Sequence, residues 1–338
     1  MKVLFLGGTG NISSACVERA LERGHQVSIY TRGHHQPTFS RPVTAIQGDR
    51  HDAERLRDVA RDGKYDVVTS FIGFTPDEVA LDIDAFHGQV GQYIHISTAS
   101  AYQKPPTSYL ITESTPLHNP YWKYSQDKIA CERALVDAYR QLGFPVTIVR
   151  PSYTYGTTWI PSSVGGHGYT VLHRMRTGKP IISHGDGSSL WVMTHTTDFA
   201  VGLVGLFGLP QALGQAYHIT GDEVLTWDQI YRTTAAAAGV DIELVHIPTD
   251  LITALAPDWG ANLKGDKAHS VVFDNTKIKR AVPAFRATLP FAEGIRQSIA
   301  WYDAEPSRRV VDEEVDRRMD VIVDAYGRLF EQITETNV

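Results

Sequence analysis

A chain of 338 residues that is 42% hydrophobic and 21% charged has the composition of a globular protein able to bury a large core. Its formal net charge of −6 argues against nucleic acid or an anionic membrane as a partner, and no apolar run approaches the roughly 20 residues of a membrane span. Two cysteines, Cys16 and Cys131, are too few for a disulfide framework, and Met1-Lys2 leads straight into a run too short for a signal-peptide core, so the expected compartment is the cytoplasm.

The first half of the chain alternates strand and helix. Residues 3–6 predict a strand, and 12–23 a helix closed by Gly24 with Ile12, Cys16 and Ala20 on one face. Strands are predicted at 26–30 and 43–47, a helix at 52–61, and at 66–72 an apolar run of the kind buried on both sheet faces. A helix over 76–89 opens on Pro76, with Asp77 and Glu78 in the first turn where they complement the helix dipole. A strand at 93–97, a long helix at 121–142 ended by Gly143, and a strand at 145–149 follow. Repeated β-α-β units with short connections imply an α/β fold, a parallel, doubly wound sheet of Rossmann type.

Beyond residue 150 the pattern changes. Gly165-Gly166 and Gly185-Asp186-Gly187 mark loops, strands shorten, and helices are predicted at 198–209, 227–238, 290–302 and 312–331. The expected organisation is a dinucleotide-binding domain over 1–156, with a return of the chain near 195–220, and a smaller, mainly C-terminal α/β substrate lobe from 157–194 and 221–338.

Gly7-Gly8-Thr9-Gly10 lies between a predicted strand and helix, the context a dinucleotide fingerprint requires. Ser13 stands where a third glycine is usual; that position serves close helix–sheet packing, which a small hydroxyl tolerates. At the end of the second strand an NAD enzyme normally carries an acid for the ribose 2′-OH. Here Thr31-Arg32-Gly33-His34-His35 offers a hydroxyl and a guanidinium, which suit a 2′-phosphate and favour NADP over NAD. His34 and His35 are expected to be exposed loop residues. Tyr124 and Lys128 share a helix face at i and i+4, and an ammonium near a phenol would bring its pKa toward the working range. His167, His173 and His184 lack any metal-ligand spacing, and no metal is expected.

With these motifs in order the chain resembles an extended short-chain dehydrogenase/reductase of the NAD-dependent epimerase/dehydratase type. Gly48-Asp49, Phe71-Ile72-Gly73, Ser97-Thr98, Arg150-Pro151-Ser152 and Gly185-Asp186-Gly187 followed by His195 and Asp198 complete the match. The resemblance implies Tyr124 as general acid/base, Lys128 as the residue that holds the nicotinamide ribose and lowers the Tyr124 pKa, and Thr98 on the reacting oxygen. It implies cofactor contacts from Gly7, Thr9, Gly10, Asn11 and Ile12, from Thr31 and Arg32, from Asp49 on the adenine, and from Arg50. Phe71, Ile72, Gly73, Ser97, Lys128, Pro151, Ser152 and Tyr153 complete that implied set. Within the family the likeness is to a branch containing the chloroplast stem-loop-binding proteins, carried by Thr31-Arg32-Gly33, Gly48-Asp49-Arg50 and His218-Ile219-Thr220-Gly221-Asp222. Those plant proteins are associated with RNA and replace the tyrosine; this chain keeps Tyr124, which favours redox chemistry.

Two departures from the family pattern narrow the expectation. The Asp-Glu that follows the threonine in 4,6-dehydratases is Ala99-Ser100 here, which argues against that elimination. The arginine that meets a nucleotide-sugar pyrophosphate, four residues before His195, is Trp191, and a second arginine is replaced by a segment whose lysines are Lys264 and Lys267. The expected substrate contacts are Phe74, Tyr102, Trp159, Trp191 and Lys267, and their aromatic rings suit a sugar face or a flat ring alike. The expectation is hydride transfer at a secondary alcohol or ketone carbon of a sugar-like or nucleotide-sugar substrate, by a dehydrogenase or an epimerase. The alternative is a non-redox, RNA-associated NADP-binding protein. A homodimer through 76–89 and 121–142 is expected from the family, and 310–330 would be a docked helix or a second contact.

Overall fold

The computed structural model describes residues 1–34 and 38–336; His35 lies outside the described residues. The chain runs through β1 (Lys2–Leu6), α1 (Asn11–Glu22), β2 (Gln26–Thr31), β3 (Thr44–Gln47), α2 (Ala53–Gly63), β4 (Val67–Ser70) and α3 (Pro76–Phe86). Then come β5 (Gln92–Ile96), β6 (Leu110–Ile111), α4 (Lys123–Leu142), β7 (Val146–Pro151), β8 (Tyr153–Tyr155), α5 (Tyr169–Arg176), β9 (Ile181–His184) and β10 (Leu190–His195). The remainder is α6 (Thr196–Gly205), β11 (Ala216–Ile219), β12 (Val224–Thr226), α7 (Trp227–Ala238), β13 (Leu244–Ile247), α8 (Thr249–Leu255), α9 (Pro257–Asn262), β14 (Val272–Phe273), α10 (Thr276–Ala281), α11 (Phe291–Ala304) and α12 (Glu313–Thr336). No helix among the described residues is long and apolar enough to cross a membrane.

Seven strands form one sheet in the order β11-β7-β5-β4-β1-β2-β3, and every neighbouring pair is parallel. The chain starts mid-sheet and winds outward both ways, so the loops after β1 and β4 leave toward opposite faces and open a crevice at the strand C-termini. The strand pleat divides the core. Val3 and Phe5 point to a layer made with α1 and α6, whereas Leu4 and Leu6 point to one made with α2, α3 and α4. Burial on both faces explains the nearly unbroken apolar runs in the sequence. Cys16 and Cys131 are free thiols, one in each layer, and fully buried.

Residues 195–220 supply α6, which packs on α1, and β11, which extends the sheet beside β7. The chain also comes back a further time, within the stretch the sequence assigned wholly to the lobe. Ile278 of α10, with Val282 and Phe285 after it, is buried in the α1/α6 layer. The cause is plain in the pattern: α10 is a short helix that contributes few apolar residues, too few to register as a periodic segment. The remaining lobe is built on two cores. One gathers Trp191, Trp227 and Tyr231 with α11, and the other seats α12 through Met319 and Ile322. Fully buried Arg174 of α5 bonds Asp316 (2.6 Å) and Asp320 (2.7 Å) and holds α12 in place.

One buried ion pair ties sheet to helix at the strand C-termini. Arg150 of β7 bonds Glu132 of α4 through Nη2 at 2.6 Å and Nε at 2.9 Å, and Ser97 donates to the same carboxylate at 2.5 Å. Removing one member of such a pair leaves an uncompensated charge in the interior. Arg150→Met is therefore expected to lower the unfolding free energy by about 3–5 kcal/mol in urea titration; a loss below about 1 kcal/mol would place the pair in contact with water.

Candidate functional site: a dinucleotide crevice and an acid–base cluster

The crevice after β1 is shaped by backbone. Gly7 and Gly8 adopt φ of +100° and +108°, and a Cβ on Gly8 would lie 2.8 Å from Ile29 Cγ2, so only glycine fits there. Buried Ser13 accepts the Gly10 N–H at 2.9 Å, which fastens the turn where a third glycine would only have packed. The start of α1 has no capping side chain and no acid in its first turn. By contrast α2 is capped by Asp52, and α3 by Thr75 with Glu78. An uncapped helix start aimed into a crevice leaves N–H donors and a positive dipole end for a diphosphate.

A cavity of about 300 Å³ continues from this turn, lined by Gly7, Thr9, Tyr30, Thr31, Arg32, Gly33, His34, Gly48, Asp49, Arg50, His51, Ile72, Phe74 and Glu78. Buried Tyr30 donates to the Asp49 carbonyl at 2.7 Å and fixes the loop after β3. Asp49 Oδ1 accepts the His51 N–H at 2.8 Å. Thr31 Oγ1 accepts from Gly33 N at 3.1 Å, while Arg32 and His34 are exposed at the rim. Neither carboxylate of this rim answers the role of a ribose acid: Asp49 is engaged with its own loop, and Glu78 accepts from Phe74 N and Thr75 N. Arg50 points inward, to Asp82 Oδ1 at 3.1 Å and the Glu78 carbonyl at 2.6 Å. These residues fit an adenine dinucleotide.

At the ends of β5 and α4, Thr98, Tyr124 and Lys128 converge. Lys128 is 1% exposed; its Nζ donates to the carbonyls of Gly73 (2.7 Å) and Ile96 (2.6 Å), which stitches β4, β5 and α4 together below the crevice. Burial lowers its pKa to about 8. Thr98 Oγ1 contacts Ser100 Oγ at 3.0 Å, and Ser100 contacts Ser125 at 2.6 Å. Asn119, which the sequence reading missed, donates to the carbonyls of Ser100 (2.8 Å) and Gly265 (2.7 Å) and accepts from Tyr121 and Trp122. Its signal was the Asn119-Pro120 turn just before the long helix.

Of the expected substrate residues, Trp159 and Lys267 line a second cavity of about 140 Å³ with Tyr153, Ser162, His167, Trp259 and Asn262. Phe74 is exposed, 5.1 Å below the Lys128 ammonium. Tyr102 and Trp191 are corrections. Tyr102 is fully buried, its hydroxyl on His218 Nδ1 at 3.0 Å and its face under Arg150; Trp191 is 1% exposed and packs on Trp227. Tyr102 follows the short turn 99–101 and Trp191 lies at the start of β10, and both side chains face a core layer. Lys264 lies outside as well, paired with Asp250 at 2.7 Å. Tyr153, expected at the nicotinamide, turns its ring toward Trp159 and Lys267. Phe71 stacks on Phe5, and Pro151 and Ser152 join β7 to β8.

The sequence profile of the NAD-dependent epimerase/dehydratase family matches residues 3–88 and 83–219. The chain belongs to this family. It is 26% identical over 259 residues to the chloroplast stem-loop binding protein of 41 kDa b of Arabidopsis thaliana, covering 72% of this chain and 65% of that protein. It is 23% identical over 287 residues to 2′-dehydrokanamycin reductase of Streptomyces kanamyceticus, covering 85% and 80%. The fold superimposes on UDP-glucose 4-epimerase of Thermus thermophilus in complex with NAD with a TM-score of 0.70 at 21% identity, over 90% of this chain and 99% of the other.

In this epimerase/dehydratase-family chain the tyrosine pKa moves against expectation. Burial pushes the Tyr124 phenol up to about 12, and Asp266 adds to the rise; a hydrogen bond with Thr98 draws it back only in part. The Lys128 ammonium is bonded to two backbone carbonyls, and burial, not a neighbouring charge, dominates the phenol. The cofactor-free protein therefore keeps Tyr124 as a neutral phenol. Ultraviolet phenolate titration of wild type minus Tyr124→Phe is expected to stay flat below about pH 10, and a phenolate step near neutrality would refute this.

Proposed function

We propose that the protein is an NADP(H)-dependent oxidoreductase that interconverts a secondary alcohol and a ketone on a sugar-like substrate. The observation that carries this is the convergence of Thr98, Tyr124 and Lys128 beside a crevice with an uncapped helix start. When bound, the dinucleotide supplies or accepts hydride. Tyr124, neutral in the resting protein, donates its proton to the carbonyl oxygen during reduction and takes it back during oxidation. Thr98 orients that oxygen and the phenol together. Lys128, anchored at Gly73 and Ile96, presents a positive charge to the ribose side, and its pKa near 8 lets it share a proton at working pH.

Gly7, Thr9, Gly10, Asn11 and Ile12 would hold the diphosphate, and Asp49 the adenine. Thr31, Arg32 and His34 would meet a 2′-phosphate, since the end of β2 carries a hydroxyl and a guanidinium where a ribose-binding acid would stand. Elimination in the 4,6-dehydratase manner is outside this proposal, because Ala99 has no acid and the Ser100 hydroxyl is tied to Thr98 and Ser125. The same apparatus used twice would make an epimerase. The stem-loop binding named for the plant relative finds no support in the net charge of −6.

Tyr124→Phe is expected to reduce kcat about 10²–10⁴-fold with cofactor affinity unchanged; turnover within about threefold of wild type would remove Tyr124 from the chemistry. Arg32→Ala is expected to weaken NADP about tenfold or more in calorimetric titration while leaving NAD unaffected, and tighter binding of NAD than NADP by wild type would reverse the cofactor assignment.

A further inference from the structure

The turn formed by residues 263–267 bridges the acid–base cluster and the second cavity. Its Gly265 lies against Trp122 and Asn119, immediately before α4, and its Asp266 carries a charge felt by Tyr124. Its Lys267 lines the 140 Å³ cavity. The turn is π-helical, a geometry common at functional positions.

The charges around it do not balance. Lys104 and Lys267 are 2% and 8% exposed. Asp266 serves both, 3.8 Å from the Lys104 ammonium and, among the described residues, the one charged group that supports protonation of Lys267. Asp258, a carboxylate on the cavity wall itself, is neutralised by Arg318 through contacts of 2.6 and 3.1 Å. Among the described residues Lys267 Nζ otherwise bonds only the neutral Asn262 side chain. Two buried lysines thus share one carboxylate; burial lowers the pKa of both, that of Lys267 to about 8, and an anion beside Lys267 would restore its full charge.

The space beside Lys267 is small and flat-walled. Trp159 and His167 stack at 3.3 Å between centroids, and Gly166 leaves open room where a side chain would stand. A volume of about 140 Å³ falls well short of the roughly 300 Å³ at which larger ligands are held. Trp191 is buried, and among the described residues no arginine lines this cavity.

We propose that this cavity takes a single-ring, sugar-like substrate bearing an anionic substituent, a carboxylate or a phosphate, with Lys267 as its counter-ion. The proposal rests on Tyr124 as the site of chemistry, and it names the substrate class for that site.

Binding can be followed by tryptophan fluorescence of the full chain, with and without NADP, using glucuronate, glucose 6-phosphate and glucose as probes. At least one anionic probe is expected to bind about tenfold or more tightly than glucose. Glucuronate and glucose 6-phosphate separate the carboxylate from the phosphate. Lys267→Met is expected to erase the preference, and Lys267→Arg to keep it, with melting temperature as the check on folding. Equal binding of all three probes, no binding of either anion, or a preference that survives Lys267→Met would overturn the proposal. Failure of NADP to bind, with the anion preference intact, would instead overturn the oxidoreductase reading and leave the cavity assignment standing.

Discussion

The Glu132 carboxylate is the point on which the site's geometry depends. It is 2% exposed and joins three segments distant in sequence: Arg150 at the end of β7, Ser97 at the end of β5, and α4, which carries Tyr124 and Lys128. Glu132 stands one helical turn beyond Lys128, so fixing it fixes the rotation of α4 about its axis. Ser97 precedes Thr98 directly. The ion pair therefore sets the hydroxyl of Thr98 and the phenol of Tyr124 against the same crevice, at positions that loops alone would not hold.

Around that fixed point, polar groups divide into those that build and those that face outward. Asp82, fully buried, collects Arg50, Tyr93 (2.5 Å) and Ser70 (3.2 Å) below the floor of the crevice. Lys128 belongs partly to this framework, because its ammonium ties two strand-end carbonyls. Its ammonium is placed beside the crevice, while burial governs the phenol.

Most of the nucleotide-binding half was legible in the sequence. Gly7 to Gly10 between strand and helix, the apolar runs of β1 and β4, and Tyr124-to-Lys128 spacing are local patterns, and each is where the local pattern places it. The substrate side was much less so. Tyr102 and Trp191 had the right residue type and neighbourhood, but whether such a side chain meets the core is settled by partners far along the chain, His218 and Trp227. Asn119, Lys104 and Asp266 carried weak signals, because their roles exist only once the 263–267 turn lies against α4. The return of 276–285 to the sheet layer escaped for a related reason: a six-residue helix is too short to show periodicity.

By itself the sequence determined the parallel sheet, the glycine turn at its centre and the pairing of a tyrosine with a lysine on one helix face, since these follow from periodicities and spacings within short segments. It also placed a guanidinium where an acid would stand. Only the tertiary structure decided which of the aromatic side chains are buried in the core, which lysines are buried around one carboxylate, and which way the tyrosine pKa moves. Those outcomes depend on burial and on contacts between residues far apart in the chain, and neither is encoded in any local pattern.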